Sequence, residues 1–317
     1  MSRIPVPFPL SAIEAARQRI AGTAIRTPLV RLAVDAPAEV WLKLENLQPI
    51  GSFKLRGAAN AMAQQDAQVL RDGVVTASAG NMAQGVAWCA RQRGIACRVI
   101  VPDHAPVAKT AAIERLGGEI IRRPFAEWWD VLMTSDTKGV PGFFIHPVMD
   151  PDVIAGNGTI GLEILEDLPD VETVVVPYGG GGLSCGIASG IKAKRPEVRV
   201  LAAEVATAAP LRAALDAGAR TTIEYQASFV DGIGGRTVLE PMWPLVRHVI
   251  DDSLVSTVQE VADAVRLLAM RAHVIAEGAG AASVAPALAG KAGTGRIVCV
   301  VSGGNIDAAR LAEFLAA

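Results

Sequence analysis

The sequence predicts an α/β fold built around parallel β-sheet. Short β-branched runs, such as residues 173–176 and 296–301, alternate with segments of helical periodicity, and this alternation is typical of βαβ units. The composition agrees with this class, because 51% of the 317 residues are apolar, 31 are glycine and only 4% are aromatic. A chain of this length has room for two domains with substantial cores or for one large unit.

The predicted elements follow one another in regular order. Helices are predicted at 11–21, from Ser52 as N-cap onward, from Asn81 to near Gly94, at 106–116, around Trp128, at 154–165, from Leu183 onward, at 258–271 and at 281–288. Strands are predicted at 40–45, 73–77, 97–101, 119–122, 142–146, 173–176, 198–204 and 296–301. Residues 219–236 have no clear periodicity and contain three glycines, which favours a functional loop.

Charge, apolar runs and cysteines exclude several classes of protein. The net charge is −2 without a basic cluster, so a nucleic-acid partner is not expected. No apolar run is long enough for a membrane span, and the first residues lack the apolar core of a signal peptide. The four cysteines lie far apart without metal-ligand spacing, which predicts buried free thiols, no metal site and a cytoplasmic protein: Cys89, Cys97, Cys185 and Cys299.

Lys54 is the candidate nucleophile. It lies in the first turn of a predicted helix between Phe53 and Leu55, where desolvation and the positive helix end both disfavour the charged amine. A neutral amine attacks aldehydes. The alternative is a solvated surface lysine.

Three loops follow predicted strands at their carboxyl ends, where the ligands of a parallel sheet bind. Residues 179–182 are consecutive glycines before a helix, which suits an anion, although a tight turn without ligand is the alternative. The spacing matches neither a P-loop nor the dinucleotide fingerprint. Ser302 could face a pyridine nitrogen or cap a helix, and Asn81 could face a ligand oxygen or cap a helix.

Other polar residues give weaker signals. Residues 78–81 offer clustered amides to a carboxylate. Glu277 lies among glycines, where it could be catalytic or could begin a helix. Asp231 and His273 are isolated in the sequence, and we interpret both as structural.

Taken together, these motifs resemble the serine/threonine dehydratase group of the fold-type II pyridoxal-phosphate enzymes. The motifs occur in the family's order over nearly the whole chain: residues 52–58, 78–81 with 83–87, His146-Pro147 with 150–156, 179–183, 277–280 and 302–305. The resemblance implies two open, twisted, mostly parallel sheets flanked by helices, as in the tryptophan synthase β-like fold. It also implies a large cofactor-binding domain of residues 1–72 and 148–317, a small mobile domain of residues 73–147, and a homodimer.

The resemblance implies a role for each matching residue. Lys54 would be the Schiff-base lysine of pyridoxal 5'-phosphate and the base that removes the α-proton. The remaining cofactor-binding residues would be Phe53 beside the ring, Asn81 at the 3-hydroxyl, Gly179, Gly180, Gly181, Gly182 and Leu183 at the phosphate, and Ser302 at the pyridine nitrogen. The substrate-binding residues would be Ser78, Ala79, Gly80, Asn81 and Glu277.

Departures from the family pattern narrow the expectation. Met82 stands where most of the family has histidine, and Ala79 stands where the racemases have a proton-exchanging serine. The cation site of some relatives is not expected, because Pro210 replaces its aspartate although Glu204 matches its first ligand. The chain ends at Ala317, so the regulatory domain of the biosynthetic threonine dehydratases is not expected.

The expected function is therefore β-elimination from a small β-hydroxy amino acid, which yields a 2-oxo acid and ammonia. Alternatives are β-replacement, which uses a different phosphate loop, racemization, which Ala79 opposes, and a silent cofactor-binding paralogue. A nicotinamide oxidoreductase fails on the glycine spacing. The substrate stays open among serine, threonine, 3-hydroxyaspartate and bulkier analogues, with selectivity expected at Met82, Tyr225 and residues 219–236.

Overall fold

The computed structural model describes residues 3–316 and contains alternating strands and helices. The strands are β1 (Leu29–Arg31), β2 (Glu39–Leu44), β3 (Val74–Ala77), β4 (Cys97–Pro102), β5 (Gly118–Arg123), β6 (Phe143–Phe144), β7 (Thr173–Pro177), β8 (Arg199–Val205), β9 (Asp252–Ser256) and β10 (Arg296–Val301). The helices are α1 (Leu10–Ile20), α2 (Lys54–Ala63), α3 (Asn81–Arg93), α4 (Val107–Arg115), α5 (Phe125–Thr134), α6 (Pro151–Asp167), α7 (Gly182–Lys194), α8 (Pro210–Ala217), α9 (Trp243–Val249), α10 (Val258–Leu267), α11 (Gly278–Ala281), α12 (Ala285–Leu288) and α13 (Ala308–Ala316).

The strands form two open sheets, as predicted. The larger sheet has the order β1-β2-β10-β7-β8-β9, in which only the pair β1–β2 is antiparallel. The smaller sheet has the order β5-β4-β3-β6 and is entirely parallel. The smaller sheet draws all its strands from residues 74–144, while the larger sheet takes strands from both sides of that segment.

The central strands of the larger sheet are buried on both faces because side chains alternate across a strand. On β10, Val298 and Val300 belong to the core that α1, α6 and α7 cover. Ile297, Cys299 and Val301 belong to the core on the opposite face, which α10, α11 and α12 cover. A parallel strand between two helical layers therefore appears in the sequence as a continuous apolar run.

Helix α6 holds α2 and α7 at short range because glycine lines both contacts. A Cβ atom on Gly156 would lie 2.5 Å from the carbonyl oxygen of Arg56 in α2. A Cβ atom on Gly186 in α7 would lie 2.5 Å from the carbonyl oxygen of Ile154. The beginnings of α2 and α7 are thereby fixed relative to each other. Asp150 caps α6, since its carboxylate accepts a hydrogen bond of 2.8 Å from the amide of Asp152.

Several boundaries differ from the prediction. Strand β6 is shorter than the predicted 142–146, and the predicted helix 258–271 ends at Leu267 before a π-helical turn over 268–272. Ser52 is not the N-cap of α2, because Ser52 pairs with Gly303 in an isolated bridge and Phe53 takes the cap position. Strand β9 and helices α8, α9 and α13 were not predicted from the sequence.

Other expectations from composition can be checked directly. Each of the four cysteines is a buried free thiol, as predicted, and burial raises the pKa of Cys89 and of Cys97 to about 12. Within residues 3–316, no helix combines the length and apolar character that a bilayer crossing requires.

A buried cluster of four charges lies beneath the start of α2. Arg56 donates to Glu45 at 2.8 Å and to Glu163 at 2.6 Å, and Lys43 donates to Glu163 at 2.6 Å. At most 6% of any of these four side chains is exposed. The two positive and two negative charges compensate each other, which is the condition for burying ionised groups.

Replacing Arg56 by methionine should destabilise the protein strongly. The substitution leaves the buried carboxylates of Glu45 and Glu163 without their shared partner, and the expected loss in the free energy of unfolding is about 3–5 kcal/mol. Denaturant unfolding measures it. The matched control is Arg310→Met, which breaks an exposed pair with Glu313 and should cost less than about 1 kcal/mol. Equal losses in the free energy of unfolding for both variants would contradict the proposed contribution of the buried cluster to stability.

Candidate active site

A cavity of about 300 Å³ lies where the carboxyl ends of β3, β7 and β10 meet. It is lined by nearly all of the predicted site residues: Phe53, Lys54, Ser78, Gly80, Asn81, Gly179, Gly180, Gly181, Gly182, Leu183, Glu277 and Ser302. Ala79 is the exception, since its side chain packs against the core of the smaller sheet. The loops at the strand carboxyl ends therefore meet in one cavity, as expected, although β3 belongs to the smaller sheet and β7 and β10 belong to the larger one.

Backbone hydrogen bonds join the segment before α2 to the loop after β10. The amide of Phe53 donates to the carbonyl of Ser302 at 3.0 Å, and the amide of Gly304 donates to the carbonyl of Gly51 at 2.9 Å. This pairing brings Lys54 and Ser302 to the same cavity. Ser302 caps no helix, because the next helix begins only at Ala308.

The amine of Lys54 is oriented and partly desolvated. Its Nζ donates to the carbonyl oxygen of Pro147 at 2.7 Å and lies 5.2 Å from the centre of the Phe53 ring. Burial lowers the pKa of Lys54 to about 8, although the negative charge of Glu277 acts in the opposite direction. At pH 7 roughly one molecule in ten then carries the free amine, against roughly one in three thousand at the ordinary value.

His146 fixes the wall that Lys54 contacts. Its Nδ1 accepts hydrogen bonds from the amides of Val148 at 3.0 Å and Met149 at 2.8 Å, and its Nε2 lies 2.9 Å from the carbonyl oxygen of Leu132. The ring is therefore a neutral Nε2–H tautomer, and burial lowers the pKa of His146 to about 4. An uncharged imidazole therefore holds the segment that presents the Pro147 carbonyl.

The glycine loop presents its backbone to the cavity. A Cβ atom on Gly180 would lie 2.7 Å from the Val148 side chain, and one on Gly182 would lie 2.7 Å from the Val148 carbonyl oxygen. Gly181 has a φ of +96°, which other residues rarely adopt. In the part of the chain that the structure describes, no oxygen accepts a hydrogen bond from the amides of 179–183. These amides, at the start of α7, can bind an anion.

Asn81 and Glu277 form a hydrogen-bonded chain with Asn305. Asn81 donates to the Glu277 carboxylate at 2.8 Å and accepts from Asn305 at 2.8 Å, so its side chain does not cap α3. Burial raises the pKa of Glu277 to about 7, with a further rise from Asp231 and opposing effects from Asn81 and Lys109. Glu277 can therefore exchange a proton near neutral pH.

Three polar residues of the cavity were not assigned to the site from the sequence: Asp231, Lys109 and Asn305. Asp231 was interpreted as structural, but it lines the cavity and forms a salt bridge of 2.6 Å with Lys109. The irregular, glycine-containing segment around Asp231 was the signal that could have identified it. Lys109 lies on α4 and had no distinguishing signal. Asn305 carried no signal beyond its place in the motif 302–305, and its contact with Asn81 follows from tertiary structure.

The residues expected to control selectivity separate into two groups. Met82 is buried and lines the cavity, whereas Tyr225 is exposed and is not part of the lining. Glu204 lies elsewhere, where its carboxylate accepts hydrogen bonds from the amides of Leu211 and Arg212 at the start of α8 and from the hydroxyl of Ser253 in β9. Among residues 3–316 there is no cluster of three or more His, Cys, Asp or Glu side chains suited to a metal ion.

A desolvated amine beside an anion-binding loop, at the edge of parallel sheet, defines an α/β enzyme that handles a phosphorylated cofactor. Comparison with known proteins identifies the family. Residues 20–303 match the family described as "Pyridoxal-phosphate dependent enzyme", and the chain belongs to that family.

Three relatives extend this comparison. The L-threonine ammonia-lyase of Thermotoga maritima is 40% identical over 304 residues, which cover 94% of this chain and 76% of the relative. The catabolic L-threonine dehydratase TdcB of Escherichia coli K12 is 36% identical over 97% of this chain and 96% of its own. The structure of maize serine racemase superposes with a TM-score of 0.89 at 33% identity, covering 96% and 95% of the two chains. The resemblance predicted from the motifs is therefore confirmed.

The cavity fits the cofactor of this family. A primary amine is present for an aldehyde, and five backbone amides without an acceptor among the described residues are present for a phosphate. The hydroxyl of Ser302 and the carboxamide of Asn81 line the same cavity. A Cβ atom at Gly180 or Gly182 would meet Val148, so the shape of the phosphate cradle depends on glycine at these positions.

The pKa of Lys54 should depend on Glu277. The negative charge of Glu277 raises the pKa of Lys54, so Glu277→Gln should lower it below about 8. NMR titration of protein labelled at lysine side chains, without cofactor, measures the change, with Lys54→Met to assign the resonance. Glu313→Gln, on the exposed α13, is the control and should leave the titration unchanged. A rise in the pKa in Glu277→Gln would contradict the electrostatic assignment.

Proposed function

We propose that this protein is a pyridoxal-phosphate-dependent ammonia-lyase that converts L-threonine or L-serine to a 2-oxo acid and ammonia. The observation that carries the proposal is the Lys54 amine, whose pKa is lowered to about 8 and which shares one cavity with the glycine loop, Asn81 and Ser302. Two relatives, an L-threonine ammonia-lyase at 40% identity and a catabolic L-threonine dehydratase at 36% identity, support threonine as a substrate.

The proposed roles use the geometry of the cavity. Pyridoxal phosphate, when bound, supplies an aldehyde that condenses with amines and a ring that withdraws electrons from the substrate α-carbon. Lys54 would hold the aldehyde carbon, Asn81 the 3-hydroxyl oxygen and Ser302 the ring nitrogen, with Phe53 beside the ring. The amides of Gly179, Gly180, Gly181, Gly182 and Leu183 would hold the phosphate at the N-terminus of α7.

Lys54 has a second proposed role as the base. When it is not joined to the cofactor, Lys54 lies free in a cavity where burial disfavours its charged form, and its Nζ would accept the α-proton. The Pro147 carbonyl, 2.7 Å away, orients this amine. The substrate carboxylate would lie against residues 78–81, while Glu277 orients Asn81 and lines the same space.

Racemization requires a proton donor on the opposite face of the substrate. Ala79, the residue at the racemase position, has no proton to exchange. The structural similarity to maize serine racemase therefore concerns the shared fold rather than this step. Elimination needs one base at the α-carbon, which Lys54 would supply, and a proton for the departing β-hydroxyl, so that the two groups lost from the substrate amount to one water.

Three further expectations belong to this proposal. Residues 73–147, which contain the smaller sheet, would move as a small domain over the substrate, and the chain would act as a homodimer. Four buried free thiols are compatible with the reducing cytoplasm. Light scattering measures the oligomeric state.

The test of the proposed function is Lys54→Ala. We expect loss of the visible absorbance that the cofactor shows when it is joined to a lysine, and a fall in 2-oxobutanoate formation from L-threonine by at least about a thousandfold. Lys138→Ala, on an exposed turn, is the control and should retain both signals. Retention of either signal in Lys54→Ala would refute the assignment of Lys54. Failure of the unaltered protein to release a 2-oxo acid from threonine or serine would refute the activity.

A further inference from the structure

We propose that the Lys109–Asp231 pair is a charge filter that restricts the substrate of this site to amino acids with an uncharged side chain. The proposal rests on the proposed function. It concerns which of the β-hydroxy amino acids considered above, with charged or uncharged side chains, can bind. Asp231 neutralises Lys109, so a second carboxylate on the substrate would find no available cation.

The pair lies in the wall of the cavity. Lys109 is on α4, beside the smaller sheet, and Asp231 is in the irregular loop 219–236, beside the larger sheet. Their side chains meet at 2.6 Å, and both line the cavity. The pair therefore joins the two halves of the site.

The loop that carries Asp231 contacts the reacting region directly. A Cβ atom on the next residue, Gly232, would lie 3.6 Å from Oε1 of Glu277. One residue further, the Cα atom of Ile233 lies within 3.4 Å of a Cβ built on Gly179 in the glycine loop. Gly232 and Ile233 therefore pack beside Glu277 and the glycine loop, and Asp231 directly precedes them with 60% of its side chain exposed.

The charges of the cavity wall favour a neutral substrate side chain. Four of its described lining residues ionise: Lys54, Lys109, Asp231 and Glu277. In the proposed function Lys54 is engaged with the cofactor and the α-proton, and Lys109 is already paired. A β-carboxylate would meet Glu277 and a Lys109–Asp231 pair that is already neutralised, without an unpaired cation, which disfavours binding, whereas the hydroxyl and methyl groups of threonine carry no charge. Discrimination would therefore come from repulsion of the wrong substrate.

L-Aspartate and L-asparagine are suitable probes, because they have nearly the same size, differ by one charge and lack a β-hydroxyl to eliminate. Their dissociation constants are measured by titrating the visible spectrum of the cofactor-loaded protein, which does not depend on turnover. We expect the unaltered protein to bind asparagine more tightly than aspartate.

The variants should move the ratio of the aspartate to the asparagine dissociation constant in opposite directions. Asp231→Asn leaves Lys109 unpaired, and the ratio should fall by about tenfold. Lys109→Gln leaves Asp231 unpaired, and the ratio should rise. The double variant restores the local charge balance, and its ratio should return to within about threefold of the original. A merely structural role of the pair would change both dissociation constants together and leave the ratio unchanged.

The matched control is Asp130→Asn, which removes the same charge outside the cavity. Asp130 forms a similar ion pair with Lys138, at a distance of 2.5 Å. Its ratio should equal that of the unaltered protein. The proposal is overturned if Asp231→Asn leaves the ratio unchanged, if Asp130→Asn lowers it equally, or if the double variant behaves like Asp231→Asn. Assays of 2-oxo acid release from threonine and serine on the same preparations test the proposed function separately, since the spectral titration reports binding alone.

Discussion

The site depends on the packing of α2 and α7 against the single helix α6. Arg56, two residues beyond Lys54, reaches Glu163 on α6 and Glu45 after β2, so the base of the lysine-bearing helix is fixed by compensated buried charges. Gly156 and Gly186 allow the backbones of α2 and α7 to approach α6 closely. An amine and an anion cradle that are far apart in the chain are thereby held in one rigid arrangement, which a catalytic site requires.

The segment 146–148 connects these two parts of the cavity. Neutral His146 organises the segment, Pro147 accepts from Lys54, and Val148 packs against Gly180 and Gly182. A charged histidine here would add a second cation near Lys54. Because burial keeps the ring neutral, the pKa of Lys54 is governed by desolvation and by Glu277. The position and the protonation of Lys54 therefore both depend on the segment 146–148.

Much of this arrangement could be predicted from the sequence. Strands such as β7 and β10 are visible because burial on both faces makes them continuously apolar, and the glycine loop is visible because its backbone must approach other groups closely. Short elements were missed, including β9 with five residues and α8 with eight. Ser52 was misassigned as a helix cap because its bridge to Gly303 joins segments at opposite ends of the chain.

The sequence by itself determined the parallel α/β class, the order of the motifs and the choice of Lys54 as the candidate amine, since these are expressed in local composition and spacing. Only the tertiary structure decided which polar residues share the cavity with that amine. Asp231 and Lys109 are 122 positions apart, and Asn81 and Glu277 are 196 apart. Such pairs arise from the approach of two sheets. Local periodicity carries no information about that approach, because hydrogen bonds between distant side chains impose no pattern on their neighbours in the chain.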